Sequence, residues 1–130
     1  MSEPGPGVRA ARGKSGERIA AVYLEGCGYR IVDLNRRVGR LEVDLVAEEA
    51  RELVIVEVRL RSREDHGTPE ETVDFRKRAR LRTAGRRIWE EYGREGLTLR
   101  FDLVAIHMDR QGLRLRHHRG FLDPEGPGTE

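Results

Sequence analysis

Apolar positions along the chain fall into two rhythms. Between residues 16 and 27, Ile19, Ala20, Tyr23, Leu24 and Cys27 recur at helical spacing behind Ser15 as a cap, and Gly26 and Gly28 stop the run. This predicts a first helix, with Cys27 as a small core residue on its inner face. Alternation then takes over, and residues 29–35, 41–48 and 52–60 read as strands with a turn near Ala50. The stretch "TPEE", residues 68–71, carries a cap, a proline at the first helical position and a capping-box glutamate. A second helix is predicted from there to about Tyr92, packing through Val73, Leu81, Ala84 and Ile88. Residues 98–108 and 113–118 read as two further strands. A long helix between the third and fourth strands implies a crossover to a parallel neighbour, hence an α/β fold with a mixed sheet.

A chain of 130 residues suits one domain. That domain is placed at residues 15–122, between a flexible basic arm at 1–14 and a flexible Pro/Gly tail at 123–130. Charged residues make up 37% and no apolar run approaches membrane-spanning length, so a membrane protein is not expected. Residues 1–16 are rich in Pro, Gly and Arg without an apolar centre, so no signal peptide is expected and the cytoplasm is the expected compartment. A single cysteine excludes an internal disulfide.

A net charge of +2 does not by itself suggest a nucleic-acid partner, but its distribution does. Residues 76–87 hold Arg76, Lys77, Arg78, Arg80, Arg82, Arg86 and Arg87 with no acid among them. Arginine favours planar, bidentate contact with phosphate. Arg78, Arg82 and Arg86 face away from the packing stripe and are read as solvated surface, whereas Arg76, Arg80 and Arg87 flank it and are the better phosphate contacts. Arg61, Arg63 and His66 are placed in the loop after the third strand, where they can meet an incoming backbone. Arg100 and Asp102 share a strand face and can simply pair; His107, His117 and His118 lack ligand spacing and are read as structural.

Charges interrupt the second and third strands. Strict alternation puts Leu41, Val43, Leu45 and Ala47 on one face and Glu42, Asp44 and Val46 on the other, while Ile55, Glu57 and Arg59 share a face. A hairpin turning at Ala50 and Arg51 sets Asp44 opposite Glu57 and Glu42 opposite Arg59. Two carboxylates about 4 Å apart repel by roughly 4 kcal/mol at an effective dielectric near 20, so the pair needs a cation or a shared proton. Few oxygen ligands with water left on the ion suit magnesium or manganese. The competing reading is a hairpin with one wet face and ordinary cross-strand ion pairs. Lys77 falls in the middle of the second helix's packing stripe, where an amine is costly unless it reaches a partner or extends to solvent.

The segments "GERIAAVYLEGCGYRIV", "NRR", "LEVDLVA", "IVEVRLRS", "GTPEETVDFRK" and "RFDLVAI", in this order within residues 13–121, resemble the YraN family of uncharacterised bacterial proteins. That family is grouped with the restriction-endonuclease-like PD-(D/E)XK nucleases and is similar to archaeal Holliday-junction resolvases. The resemblance implies a restriction-endonuclease-like mixed sheet flanked by helices, and a metal-dependent endonuclease acting on DNA, with branched or damaged DNA as candidate substrates. It implies Asp44 and Glu57 as ligands of Mg2+ or Mn2+, Glu17 as the supporting first-helix glutamate, and, since resolvases act as dimers, a homodimer. Two positions depart from the family pattern: Leu41 stands where a glycine precedes the motif glutamate, and Arg59 replaces the motif lysine. Arginine can stabilise charge on phosphate but is effectively never a base. Lys77 is the candidate to replace the missing ammonium. The alternatives are a non-catalytic nucleic-acid-binding module with a degenerate nuclease site, or a protein-interaction scaffold with no salt-dependent affinity for DNA.

Overall fold

The computed structural model describes residues 15–62, 67–92 and 96–129. Helix α1 (Ser15–Gly26) leads into strands β1 (Arg30–Val38), β2 (Leu41–Glu49) and β3 (Glu52–Ser62). A 3-10 turn (Glu70–Thr72) and helix α2 (Phe75–Tyr92) follow, and then β4 (Thr98–Asp109) and β5 (Gly112–Leu122). The five strands form one sheet in chain order, antiparallel except for the parallel β3–β4 pair, which runs in register from Glu52–Thr98 to Ser62–Met108. The helix between β3 and β4 makes that parallel step, so the mixed α/β sheet expected for a restriction-endonuclease-like domain is the architecture observed. None of the described helices is long and apolar enough to cross a membrane.

The sheet separates two apolar layers. Leu81, Ala84 and Ile88 of α2 pack with Val43, Val46, Leu53, Ile55, Phe101 and Leu103. Ala20 and Leu24 of α1 pack with Leu45, Ala47, Val54, Val56, Val104 and Ile106. Gly85 lets α2 lie close on the sheet, because a Cβ there would stand 2.5 Å from the Phe101 ring.

Four local expectations change. Cys27 is exposed, because it ends α1: Gly28 follows with φ +93° and Tyr29 N–H bonds back to the Leu24 carbonyl at 2.9 Å, turning the chain so that Cys27 faces water. The predicted capping box forms, with Thr68 N–H to Glu71 Oε2 at 3.2 Å and Glu71 N–H to Thr68 Oγ1 at 3.3 Å, but it caps only the 3-10 turn. Asp74 is the cap of α2, accepting from Lys77 N–H at 2.9 Å, so the helix begins later than predicted. Strict alternation fails in β2: Val43 and Leu45, expected on one face, pack into opposite layers with Asp44 between them. Across the ladder in β1, Asn35 takes a left-handed φ of +51° between the pairs Leu34–Leu45 and Arg36–Val43, so the irregularity in both strands falls at the same step.

Of the residues read as a tail, 123–129 lie along α2. Arg82 donates to the carbonyls of Asp123 (2.8 Å) and Pro127 (3.1 Å), and Arg86 to those of Pro124 and Gly126. Arg82 and Arg86 are therefore not free surface cations, and Arg78 turns its Nε to the Val73 carbonyl at 3.1 Å. The arm at 1–14, Arg63 and His66 lie outside the described residues.

Candidate metal and phosphate site

The β2–β3 ladder stops at Leu45–Val56, one step short of Asp44 and Glu57, while β3 stays paired to β4 as far as Ser62. The two strands thus part where the carboxylates begin. Val58 N–H donates to Asp44 Oδ2 at 2.8 Å, so a side chain takes over where strand pairing gives out. This bond fixes the Asp44 carboxylate in the plane of the sheet, beside Glu57.

Glu57 is almost wholly buried, at 3% exposure. Its Oε2 meets Arg59 Nη2 at 2.8 Å and lies 3.7 Å from Lys77 Nζ. Lys77 therefore reaches across from the first turn of α2 to the carboxylate on β3. Glu57 Oε1 is buried with no hydrogen-bond donor, and Arg59 Nε is buried with no acceptor. Burial raises the Glu57 carboxyl first and the neighbouring Asp44 charge second, to about 8, against the pull of Lys77 and Arg59. Asp44 also sits within hydrogen-bonding reach of Glu57. Two ionised carboxylates have no proton to share in that contact. A proton on Glu57 or a cation between the two groups satisfies it.

Among the described residues no three or more His, Cys, Asp or Glu side chains gather as a complete metal cage. An oxygen-seeking ion that keeps much of its water takes few protein ligands, and Asp44 and Glu57 are the two carboxylates that this end of the sheet brings together.

The other predicted residues are distributed around this notch. Glu17 is half-buried in the first turn of α1, next to Gly16, whose Cβ position would lie 3.4 Å from both Val58 and Leu60. It belongs to the same end of the sheet, but the groups acting most strongly on Glu57 are Asp44, Lys77 and Arg59. Glu42, expected opposite Arg59, lies 3.8 Å from Arg37 across the β1–β2 pair instead, since the β2–β3 ladder never extends that far. Arg61 is on β3 rather than in a loop, with Nη1 on the Leu60 carbonyl at 2.8 Å. Arg76, Arg80 and Arg87 are exposed on α2 and form no ion pair with another described residue.

A second polar centre lies on the opposite face of the sheet. Asp102, fully buried, accepts from Tyr29 Oη (2.9 Å), Arg100 Nε (2.9 Å) and Gly120 N–H (3.0 Å), and lies 2.8 Å from His117 Nε2. Arg100 continues to Glu49 and Glu52, both at 2.9 Å. Burial alone would raise the Asp102 carboxyl, but hydrogen bonds from His117, Arg100 and Gly120 hold it well below the usual range. The Arg100–Asp102 pairing is as expected, whereas the roles of Tyr29 and His117 were not visible in the sequence. The one available signal was an acid inside the apolar run "RFDLVAI".

Residues 16–106 match the model of the uncharacterised protein family UPF0102. A UPF0102 protein of Moorella thermoacetica is 46% identical over 104 residues, covering 80% of this chain and 87% of the relative. One from Anaeromyxobacter sp. (strain Fw109-5) is 42% identical over 124 residues, covering 94% and 92%. A third, from Porphyromonas gingivalis, is 40% identical over 101 residues, covering 78% and 74%. The fragments that suggested the YraN resemblance fall largely inside the matched span, and the chain belongs to the UPF0102 family.

Proposed function

We propose that this protein is a metal-dependent endonuclease that hydrolyses phosphodiester bonds in nucleic acid, with DNA as the expected substrate and Mg2+ or Mn2+ as the ion. The observation that carries the reading is Glu57, almost wholly buried beside Asp44 and with a donorless Oε1, with two cationic side chains alongside. Asp44, oriented by Val58 N–H, and Glu57 hold the ion. Once bound, the ion supplies charge against the reacting phosphate and makes a coordinated water more acidic. Arg59, with Nη2 on Glu57 Oε2, sets a guanidinium beside the carboxylates where charge develops on the phosphate, and Lys77 brings the ammonium that the motif position lacks. Arg76, Arg80 and Arg87 form a row spanning about 16 Å at 1.5 Å per helical residue, suited to several successive phosphates of one strand.

Cleavage of supercoiled and four-way DNA in Mg2+ tests the reading. Asp44→Ala and Glu57→Ala are each expected to lose at least about a hundredfold in rate, as removal of a metal ligand or key electrostatic group does. Cleavage that survives both substitutions rules the mechanism out. Because Lys77 already stands at Glu57, Arg59→Lys is expected to change the rate by less than about threefold, while Lys77→Met lowers it by about a hundredfold. The second reading, a binding module with a degenerate site, rests on arginine at position 59. It predicts salt-dependent binding without cleavage, and a large gain of activity in Arg59→Lys.

A further inference from the structure

We infer that Phe75 is a stacking platform for an unpaired base of the strand that follows the α2 guanidiniums to the site, so that the substrate is a strand with a single-stranded or frayed base near the cut rather than continuous duplex. The inference rests on the nuclease reading above and adds the substrate class. Aromatic residues are only 5% of the chain. The others are covered or tied: Phe101 and Tyr29 are buried, Tyr92 and Phe121 are partly buried against the α2 layer, Tyr23 bonds His117, and Trp89, at 40% exposure, donates to the Leu97 carbonyl at 2.7 Å. Phe75 is 72% exposed at the first position of α2.

Its neighbours give that exposure a chemical sense. The first turn of α2 carries three consecutive side chains with different tasks. Lys77 reaches Glu57, Arg76 heads the row of exposed guanidiniums, and Phe75 projects about 160° around the helix from Lys77 at 100° per residue. A backbone following Arg87, Arg80 and Arg76 arrives with the carboxylates on one side and a bare ring on the other. A base paired within a duplex keeps both faces stacked on its neighbours, whereas an unpaired one has a face to give. Stacking on an aromatic side chain tolerates any sequence, in keeping with the absence of a base-reading motif.

The test measures binding of the full chain in EDTA, by anisotropy, to a forked duplex with 2-aminopurine at the first unpaired position and to the same sequence fully paired. The wild type is expected to prefer the fork about tenfold and to change the 2-aminopurine emission on binding. Phe75→Ala should bring fork affinity down to near that of the duplex, leave duplex affinity within about twofold and abolish the emission change, while Phe75→Trp retains all three wild-type features. A Phe75→Ala protein that keeps both the fork preference and the emission change overturns the inference while leaving the nuclease reading standing. Absence of salt-dependent binding to either DNA overturns both.

Discussion

Glu57→Gln is expected to make the metal-free protein more stable than the wild type, by an amount that grows from pH 5 to pH 8 and then levels off. The Glu57 carboxyl is raised from its ordinary value near 4.5 to about 8 by burial and by Asp44, so the folded protein retains a proton that the unfolded chain releases. A raised pKa means stability fully present below 4.5 and lost progressively as pH climbs to about 8. At about 1.4 kcal/mol per pKa unit the loss is a few kcal/mol, on the order of 10 °C in Tm for a domain of this size. Glutamine carries no such slope, and its amide can donate the hydrogen that Asp44 and Glu57 lack between them. Saturating Mg2+ should reverse the order, since ligand binding to the folded state stabilises only the protein that retains the ligand. Thermal melts of the two proteins at pH 5, 6, 7, 8 and 9, with and without Mg2+, read this directly. Parallel pH profiles without metal would mean that Glu57 is an ordinary ionised side chain.

Asp102→Ala is expected to be the most damaging single substitution outside the notch. It removes a partner from Arg100, Tyr29, His117 and the Gly120 N–H at once, and leaves a gap at the fully buried Asp102 position. Removing one partner of a buried charge pair costs about 3–5 kcal/mol, or roughly 10–15 °C in Tm. The wild-type contribution follows the opposite pH sense to Glu57: a carboxyl held below its ordinary value near 3.8 stabilises at all pH above that value and is lost only in stronger acid. The Tm difference between wild type and variant should therefore be flat from pH 5 to pH 8. Because Asp102 faces the α1 layer, metal affinity at the notch should survive in the variant at temperatures where it is folded.

The fold was legible because its signals were local and periodic. Glycines ended α1, alternation marked the strands, and the length of the segment between β3 and β4 forced a crossover. The start of α2 was misplaced because two caps compete within seven residues, and the Thr68 box looks stronger in sequence than the Asp74 side chain that wins. The face of each residue in β2 was wrong on one side of Asp44 because alternation breaks between Val43 and Leu45, at the step opposite the left-handed Asn35, and nothing in the local pattern marks that break. The proximity of Asp44, Glu57, Arg59 and Lys77 was accessible from spacing along three elements. The parting of β2 from β3 at Asp44 was not, because it depends on whether a side-chain oxygen or a strand carbonyl captures Val58 N–H. Likewise Tyr29 and His117 meet Asp102 only because β5 folds back on β4 beneath α1, a long-range event that no local pattern announces.

The measurement closest to the central claim is a calorimetric titration of Mg2+ into the full chain at several pH values. The account predicts one ion per chain, affinity that strengthens about tenfold per pH unit below pH 8 as a proton leaves Glu57, and no binding in Asp44→Ala. Absence of binding heat at any pH, or binding that is undiminished in Asp44→Ala and indifferent to pH, would contradict it.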